Sequence, residues 1–355
     1  MESYFNIHND VESELIFGNR NDDIKILSIV IPTFNRKDLL EKTLYSIINQ
    51  QKPDNITYQV IVVSNNPNYC IDDINFDLDP DIFLVYRNKS NIGMVGNMNR
   101  CAILSEGKYI SYIQDDDVLL DNYLVTIEKL LKSNMLNNVD CLIPNRFFYY
   151  DSNDKDSLFG AKANRKSKIK QLVQKVISIG TKKHLFQRVD FTDCAKTWYN
   201  CFSGGPTCGI LFNRSSLIST KGFDETYPFS FDFVFFIDYS KNNNVVLYNE
   251  YLSVYRMTNS ASNRSEVQCD FFRSDMYLLE KSINNSDFIK FFYKEIIKFS
   301  YENKSKESQK LIKCNEFKKN IYFKYIIYRI IRFVRLMRSN VYRRELLPQK
   351  YFNCL

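Results

Sequence analysis

The sequence predicts an α/β protein: a mostly parallel sheet flanked by helices, with a helical C-terminal extension. Short β-branched apolar runs alternate with segments of helical spacing over the first half of the chain. Polar residues able to do chemistry gather where those runs stop. With 45% hydrophobic residues, the 355-residue chain can also fill a sizeable core.

The run "ILSIVIPTF" (26–34) has the continuous apolar character of a strand buried on both faces. In the following "NRKDLLEKTLYSIINQQ", Leu40, Leu44, Ile47 and Ile48 recur at helical spacing, with Asn35 placed to cap the start and Pro53 beyond the end. "YQVIVVSNN" and "IFLVYRN" read as two more strands. "GMVGNMNRCAILSEG" reads as a helix with Val95, Met98 and Ala102 on one face and Gly107 closing its C-terminus. "KYISYIQ" is then a strand that delivers Asp115, Asp116 and Asp117 to the sheet's carboxyl edge.

Three adjacent carboxylates repel one another and are costly to desolvate, so their position needs a physical reason. In an extended strand Asp115 and Asp117 project to one side and Asp116 to the other. Two oxygen ligands then face one point, as suits a hard divalent cation, Mn²⁺ or Mg²⁺, that takes its remaining ligands from phosphate and water. An acidic surface turn or a helix cap would use the same residues.

Other chemistries have little footing. The nine cysteines are scattered without a C-x-x-C pair and there are two histidines, so neither a zinc site nor a disulfide framework is indicated. Cys194, Cys201 and Cys208 recur every seven residues, but intervening Pro and Gly break any helical stripe, which leaves core packing. Reduced thiols, no signal-peptide pattern and no run of ~18 apolar residues point to the cytoplasm. The net charge of +7 suits a phosphate-bearing ligand or an anionic membrane without selecting either.

"SIVIPTFNR", "VIVVSNNPN", "NKSNIGMVGNMNRCAILSEGKYISYIQDDD" and "GFDETYPFSFDFVFFIDYS", in that order and spacing, resemble the family 2 glycosyltransferases, nucleotide-diphospho-sugar enzymes of the GT-A fold. The resemblance implies inverting, metal-dependent transfer from a nucleotide-sugar, UDP-sugars favoured, to a glycan or lipid-linked acceptor in bacterial surface polysaccharide synthesis. It places Pro32, Thr33, Asn35 and Arg36 along the nucleotide pocket. Asn65 falls where the family usually carries an acid facing the base. Asn91, Gly93 and Asn97 match the Asn-x-Gly helix start, which a simple capping turn would also explain. Asp115 to Asp117 match the D-x-D element, with Asp117 and then Asp115 as metal ligands and Asp115 and Asp116 near the donor.

In the second half the resemblance sets Gly205 in a segment near the sugar and acceptor, which a tight turn without a ligand would also explain, and Asp232 matches the general base, although Phe231 replaces the acid that usually precedes it. Asp232 would also serve as a helix cap, with Asp238 and Asp224 as alternatives for the base. Arg256 matches an arginine near the diphosphate, while Thr258 stands at the family's histidine position; a surface salt bridge is the other reading of Arg256.

The expected organisation is an N-terminal extension (1–24), a catalytic domain (25–265) and a helical basic C-terminal region (266–355). Within the catalytic domain the nucleotide-sugar half covers about 25–145 and the acceptor half about 191–265, around a Lys-, Ser- and Asn-rich insertion at about 151–190 with a short helix near 168–178. From Phe317 to Leu347, Arg329, Arg332 and Arg335 alternate with apolar residues as in a helix lying on anionic lipid, which gives a peripheral place at the inner face of the membrane. A buried terminal helix is the alternative. Two other functions compete. A sugar nucleotidyltransferase should carry a Gly-rich basic loop after the first strand. A nucleic-acid binder should carry a basic, aromatic module, and no nucleic acid is expected here.

Overall fold

The computed structural model describes residues 3–21, 23–70, 77–150, 185–189, 207–257 and 265–281. The expected alternation is present: β2 (Leu27–Thr33), α1 (Lys37–Ile48), β3 (Tyr58–Ser64), β4 (Phe83–Asn88), α2 (Gly93–Leu104) and β5 (Tyr109–Tyr112) follow in order. β1 (Ser13–Phe17) precedes them. After β5 come β6 (Val118–Leu119), α3 (Tyr123–Lys132), β7 (Cys141–Tyr150), β8 (Phe186–Arg188), β9 (Ile210–Asn213), α4 (Arg214–Ile218), α5 (Phe231–Asn242), β10 (Val245–Met257) and α6 (Ser265–Lys281).

The strands form one ten-stranded sheet in the order β1-β4-β3-β2-β5-β9-β7-β10-β6, with β8 added on β10. β4, β3, β2 and β5 run parallel, as the apolar runs predict. The second half is mixed, since β9 is antiparallel to β5 and β7 while β7 and β10 are parallel. Residues 3–17 belong to the same body: β1 pairs antiparallel with β4, and Phe5 lies in the core.

Alternate residues of each strand feed opposite faces. Val30, Ile61 and Val63 pack with Val95 and Met98 of α2 and Phe235 and Phe236 of α5. Ile29, Ile31, Val60 and Val62 pack with Leu40, Leu44 and Ile47 of α1 and Leu124 and Ile127 of α3. Pro32 sits past the last β2–β5 pair, Val30↔Tyr112, and its ring nitrogen faces that side, so the missing N–H leaves no gap in the ladder.

Local expectations differ at two ends. Asn35 does not cap α1: Arg36 holds that position without a side-chain cap, and Asn35 adopts a left-handed φ of 55° in the turn. Gly107 does not close α2, which ends at Ser105 in extended conformation. Its lack of a side chain serves close packing, because a Cβ there would lie 2.5 Å from Ser28 N. The insertion helix near 168–178 and the basic segment 317–347 lie outside the described residues, and among those described no helix is long and apolar enough to cross a membrane.

One face of α1 is polar yet buried. Thr43 Oγ1 donates to Asp115 O at 3.0 Å and to Asp117 O at 2.7 Å. Ser46 Oγ accepts from Leu119 N at 3.2 Å, and the Gln50 amide bonds Leu120 O at 2.7 Å and Leu124 N at 3.1 Å. Thr43, Ser46 and Gln50, on one face at helical spacing, thus fix the path of the chain from the aspartates into α3. Thr43→Val keeps the volume but leaves two buried carbonyls without their donor. It should cost about 1–3 kcal/mol, read as a lower urea midpoint with an unchanged slope.

Candidate active site

The aspartates do not continue β5. The strand ends at Tyr112, and Asp117 N–H donates to Gln114 O at 3.1 Å, closing a tight turn. Strand alternation therefore does not apply here, and Asp115 and Asp117 take different partners. Asp115, 4% exposed, accepts from Thr33 Oγ1 at 2.8 Å and from Arg36 Nη1 at 3.2 Å. The same guanidinium reaches Asp116 Oδ2 at 2.7 Å. Asp117, 0% exposed, is held from another strand: its Oδ1 accepts the Arg256 backbone N–H at 3.1 Å. Its Oδ2 is buried without a partner.

Charge explains the arrangement. Burial pushes Asp115 up to about 6, opposed by Arg36 and the Thr33 hydroxyl. Burial and the neighbouring Asp116 raise Asp117 well above the usual carboxylate range, opposed by the Arg256 N–H and by the Cys208 thiol beside it. Arg256 is itself buried. Its Nε donates to Asp116 O, its Nη2 donates to Leu39 O at 3.0 Å, and its Nη1 has no partner. It is therefore not the surface salt bridge that the sequence also allowed.

Asp232 lies in the first turn of α5, where its Oδ1 accepts from Phe233 N at 2.8 Å. Burial pushes its carboxyl up to about 7, opposed by that N–H and by the charge of Arg146. Tyr255 joins the two acidic regions: burial together with Asp117, Asp116 and Asp232 raises its hydroxyl, while Arg146 opposes them. The fallback acids are occupied elsewhere. Asp224 accepts from Tyr4 Oη at 3.0 Å and Thr226 N at 2.9 Å, and Asp238 pairs with Lys241 and Tyr277.

The asparagines form a separate network. Asn65 Nδ2 donates to Asn91 Oδ1 at 2.6 Å and Gly93 O at 3.0 Å, while its Oδ1 accepts from Ile92 N at 3.0 Å and Asn88 Nδ2 at 3.1 Å. Asn97 Nδ2 donates to Val63 O and its Oδ1 accepts from Asn88, both at 2.9 Å. Asn65 and Asn97 thus tie β3 to the start of α2, and Asn65 has both its amide hydrogens and both its oxygen lone pairs engaged. Gly93 has φ 76° and open space where a Cβ would lie, so backbone conformation is what it supplies. Asn35 and Asn66, bonded to each other at 2.8 Å, are the amides at this rim. Gly205 lies outside the described residues.

Sequence reasoning passed over Arg146 and Tyr255. Arg146 is buried on β7 within "CLIPNRFFYY", and a charged residue inside an apolar strand was the signal available. Cys208, read as core packing, is indeed buried, but against Asp117.

A sheet that is parallel in its nucleotide half and carries a carboxylate turn at its carboxyl edge defines an α/β protein of the GT-A fold. S. aureus TarS shares that fold: a structure of its residues 1–349 in complex with UDP aligns over 89% of each chain with TM-score 0.51 at 13% identity. A longer TarS structure aligns over 82% of this chain and 46% of that one with TM-score 0.50 at 14% identity. The model of glycosyl transferase family 2 matches residues 28–198 of this chain.

Among curated relatives, a Campylobacter jejuni GalNAc(5)-diNAcBac-PP-undecaprenol beta-1,3-glucosyltransferase is 34% identical over 104 residues, 28% of this chain and 33% of that one. A Bacillus spizizenii poly(ribitol-phosphate) beta-glucosyltransferase is 30% identical over 119 residues, 30% of this chain and 17% of that one. The matches thus span a third or less of these relatives. Asp232 and Arg256 lie beyond the span matched by the family model.

Asn65→Asp would restore the family's usual acid but set a carboxylate against two acceptors, Asn91 Oδ1 and Gly93 O. Only its protonated form could donate to them, so its folded pKa is raised above the unfolded value of ~3.9. The variant should then lose little stability at low pH and progressively more as pH rises through and above that value. Paired denaturant titrations at pH 5 and pH 8 should show a gap of about 1–3 kcal/mol that is larger at pH 8.

Proposed function

We propose that this chain is an inverting, metal-dependent glycosyltransferase that moves a sugar from a nucleotide-diphospho-sugar to a glycan or lipid-linked acceptor in bacterial surface polysaccharide synthesis. The observation that carries it is Asp117: a fully buried carboxylate at the carboxyl edge of the sheet, one oxygen held by the Arg256 N–H and the other without a partner. A buried carboxyl with an unsatisfied oxygen, whose ionised form a bound cation would favour, fits a hard ion such as Mn²⁺ or Mg²⁺. Both oxygens of Asp115 are already engaged by Thr33 and Arg36, so Asp117 is the better metal ligand and Asp115 shapes the turn. When bound, the cation would supply charge neutralisation for a departing diphosphate.

The chain's own residues do the rest. Arg36 and Arg256 set positive charge beside the turn, where a diphosphate would lie. Asp232, with its carboxyl held near neutrality by burial, accepts the proton of the acceptor hydroxyl as that oxygen attacks the anomeric carbon from the face opposite the nucleotide. The C. jejuni and B. spizizenii relatives are named as glucosyltransferases and TarS was crystallised with UDP, so UDP-glucose is the first donor to test.

The test is nucleotide release by the purified full chain from UDP-, GDP- and dTDP-sugars, with Mn²⁺ and then with chelator; no release from any donor overturns the reading. Asp117→Asn should abolish metal-supported donor binding measured by calorimetry. Asp232→Asn should keep donor affinity within about threefold yet lower kcat by about 10²–10⁴. Because the base must be unprotonated, kcat should rise about tenfold per pH unit below pH 7 and level off above about pH 8. A flat profile, or full activity in either variant, removes the role assigned to that residue.

A further inference from the structure

α6 lies in the region the sequence set apart from the catalytic domain, yet it reaches the helix that carries Asp232. Asp270, 3% exposed, is the contact: its Oδ2 accepts from Phe229 N and from Ser230 Oγ, each at 2.8 Å. Ser230 occupies the N-cap position of α5 but makes no side-chain cap, because its hydroxyl is turned to Asp270 instead. The start of α5, two residues before Asp232, is thus gripped by a carboxylate from another helix. Phe233 and Ile237 of α5 pack on Leu278 of α6 and secure the approach.

We infer that Asp270 is a positioning residue for Asp232, holding the first turn of α5 in place and keeping a negative charge behind the base. This rests on the general-base role proposed above. The charged and titratable groups around Asp232 are Arg146 from β7, Tyr255 from β10 and Asp270 from α6, with Arg273 3.6 Å from Asp270 Oδ1. Arg146 favours the ionised base; Asp270 opposes it. The base is therefore acted on by a cation and an anion from different elements, and its basicity depends on a helix that the family match does not include.

Three full-length variants test this. Asp270→Asn keeps an acceptor for Phe229 N and Ser230 Oγ but removes the charge, so the Asp232 carboxyl should titrate at lower pH. Asp270→Ala loses both, and kcat for UDP release from UDP-glucose should fall about 10–100-fold with donor KM within about threefold. Asp270→Glu should recover most of the wild-type pH midpoint. The midpoint is read directly by carbon-13 carboxyl NMR on Asp-labelled protein, the Asp232 signal being the one absent from Asp232→Asn, and in parallel from the pH profile of kcat. A shifted carboxyl midpoint without UDP release from any donor would uphold this linkage and refute the proposed function. Folded Asp270→Asn and Asp270→Ala proteins with unchanged midpoint and kcat would overturn it. If Asp270→Ala fails to fold, Asp270→Asn alone decides.

Discussion

Burial of the acidic turn is the constraint around which the site is built. Carboxylates as enclosed as Asp115 and Asp117 are tolerated only where cations and N–H or O–H donors stand close by. Arg36 supplies charge from the end of β2, Thr33 supplies a hydroxyl, and Arg256 supplies a backbone N–H from β10. These groups come from the two halves of the sheet, so the turn keeps its shape only when both halves have assembled. Two buried polar atoms of this cluster, Asp117 Oδ2 and Arg256 Nη1, are left without a hydrogen-bond partner.

Buried polar side chains do for the loops what apolar ones do for the layers. Thr43 and Ser46 of α1, with Gln50 just past its end, form a template for residues 115–124, while Asn65, Asn88 and Asn97 bind β3 and β4 to the start of α2. Each network leaves few alternatives, because a shifted register would strand buried donors and acceptors. In an open α/β sheet the carboxyl-end loops hold the chemistry, and here internal hydrogen bonds prevent them from drifting.

The sheet also decides which distant residues meet. β6, only two residues long, pairs antiparallel with β10 at Val118↔Val254, which carries Arg256 to the aspartates. The parallel β7–β10 ladder places Arg146 opposite Ser253. Asp232 arrives on α5, whose aromatic face, Phe231, Phe235 and Tyr239, is sunk in the core with Phe212 and Phe223. A carboxylate at the first turn of so firmly anchored a helix has little freedom to move.

Hydrophobic periodicity alone determined the parallel half of the sheet and the positions of α1 and α2, since burial of β2 and amphipathic spacing in α1 are local consequences of residue order. The ordered motifs likewise pointed to Asp115–Asp117, Asp232 and Arg256. Only the tertiary structure decided that Asp115 and Asp117 take different partners, because a turn closed at Gln114 ended the alternation a strand would have imposed. It also showed Asn65 to be saturated by its neighbours, and placed Arg146, Tyr255 and Asp270 around the base. Those outcomes depend on contacts between residues far apart in the chain, and the pairing of buried charges over such separations leaves no periodic trace in the sequence.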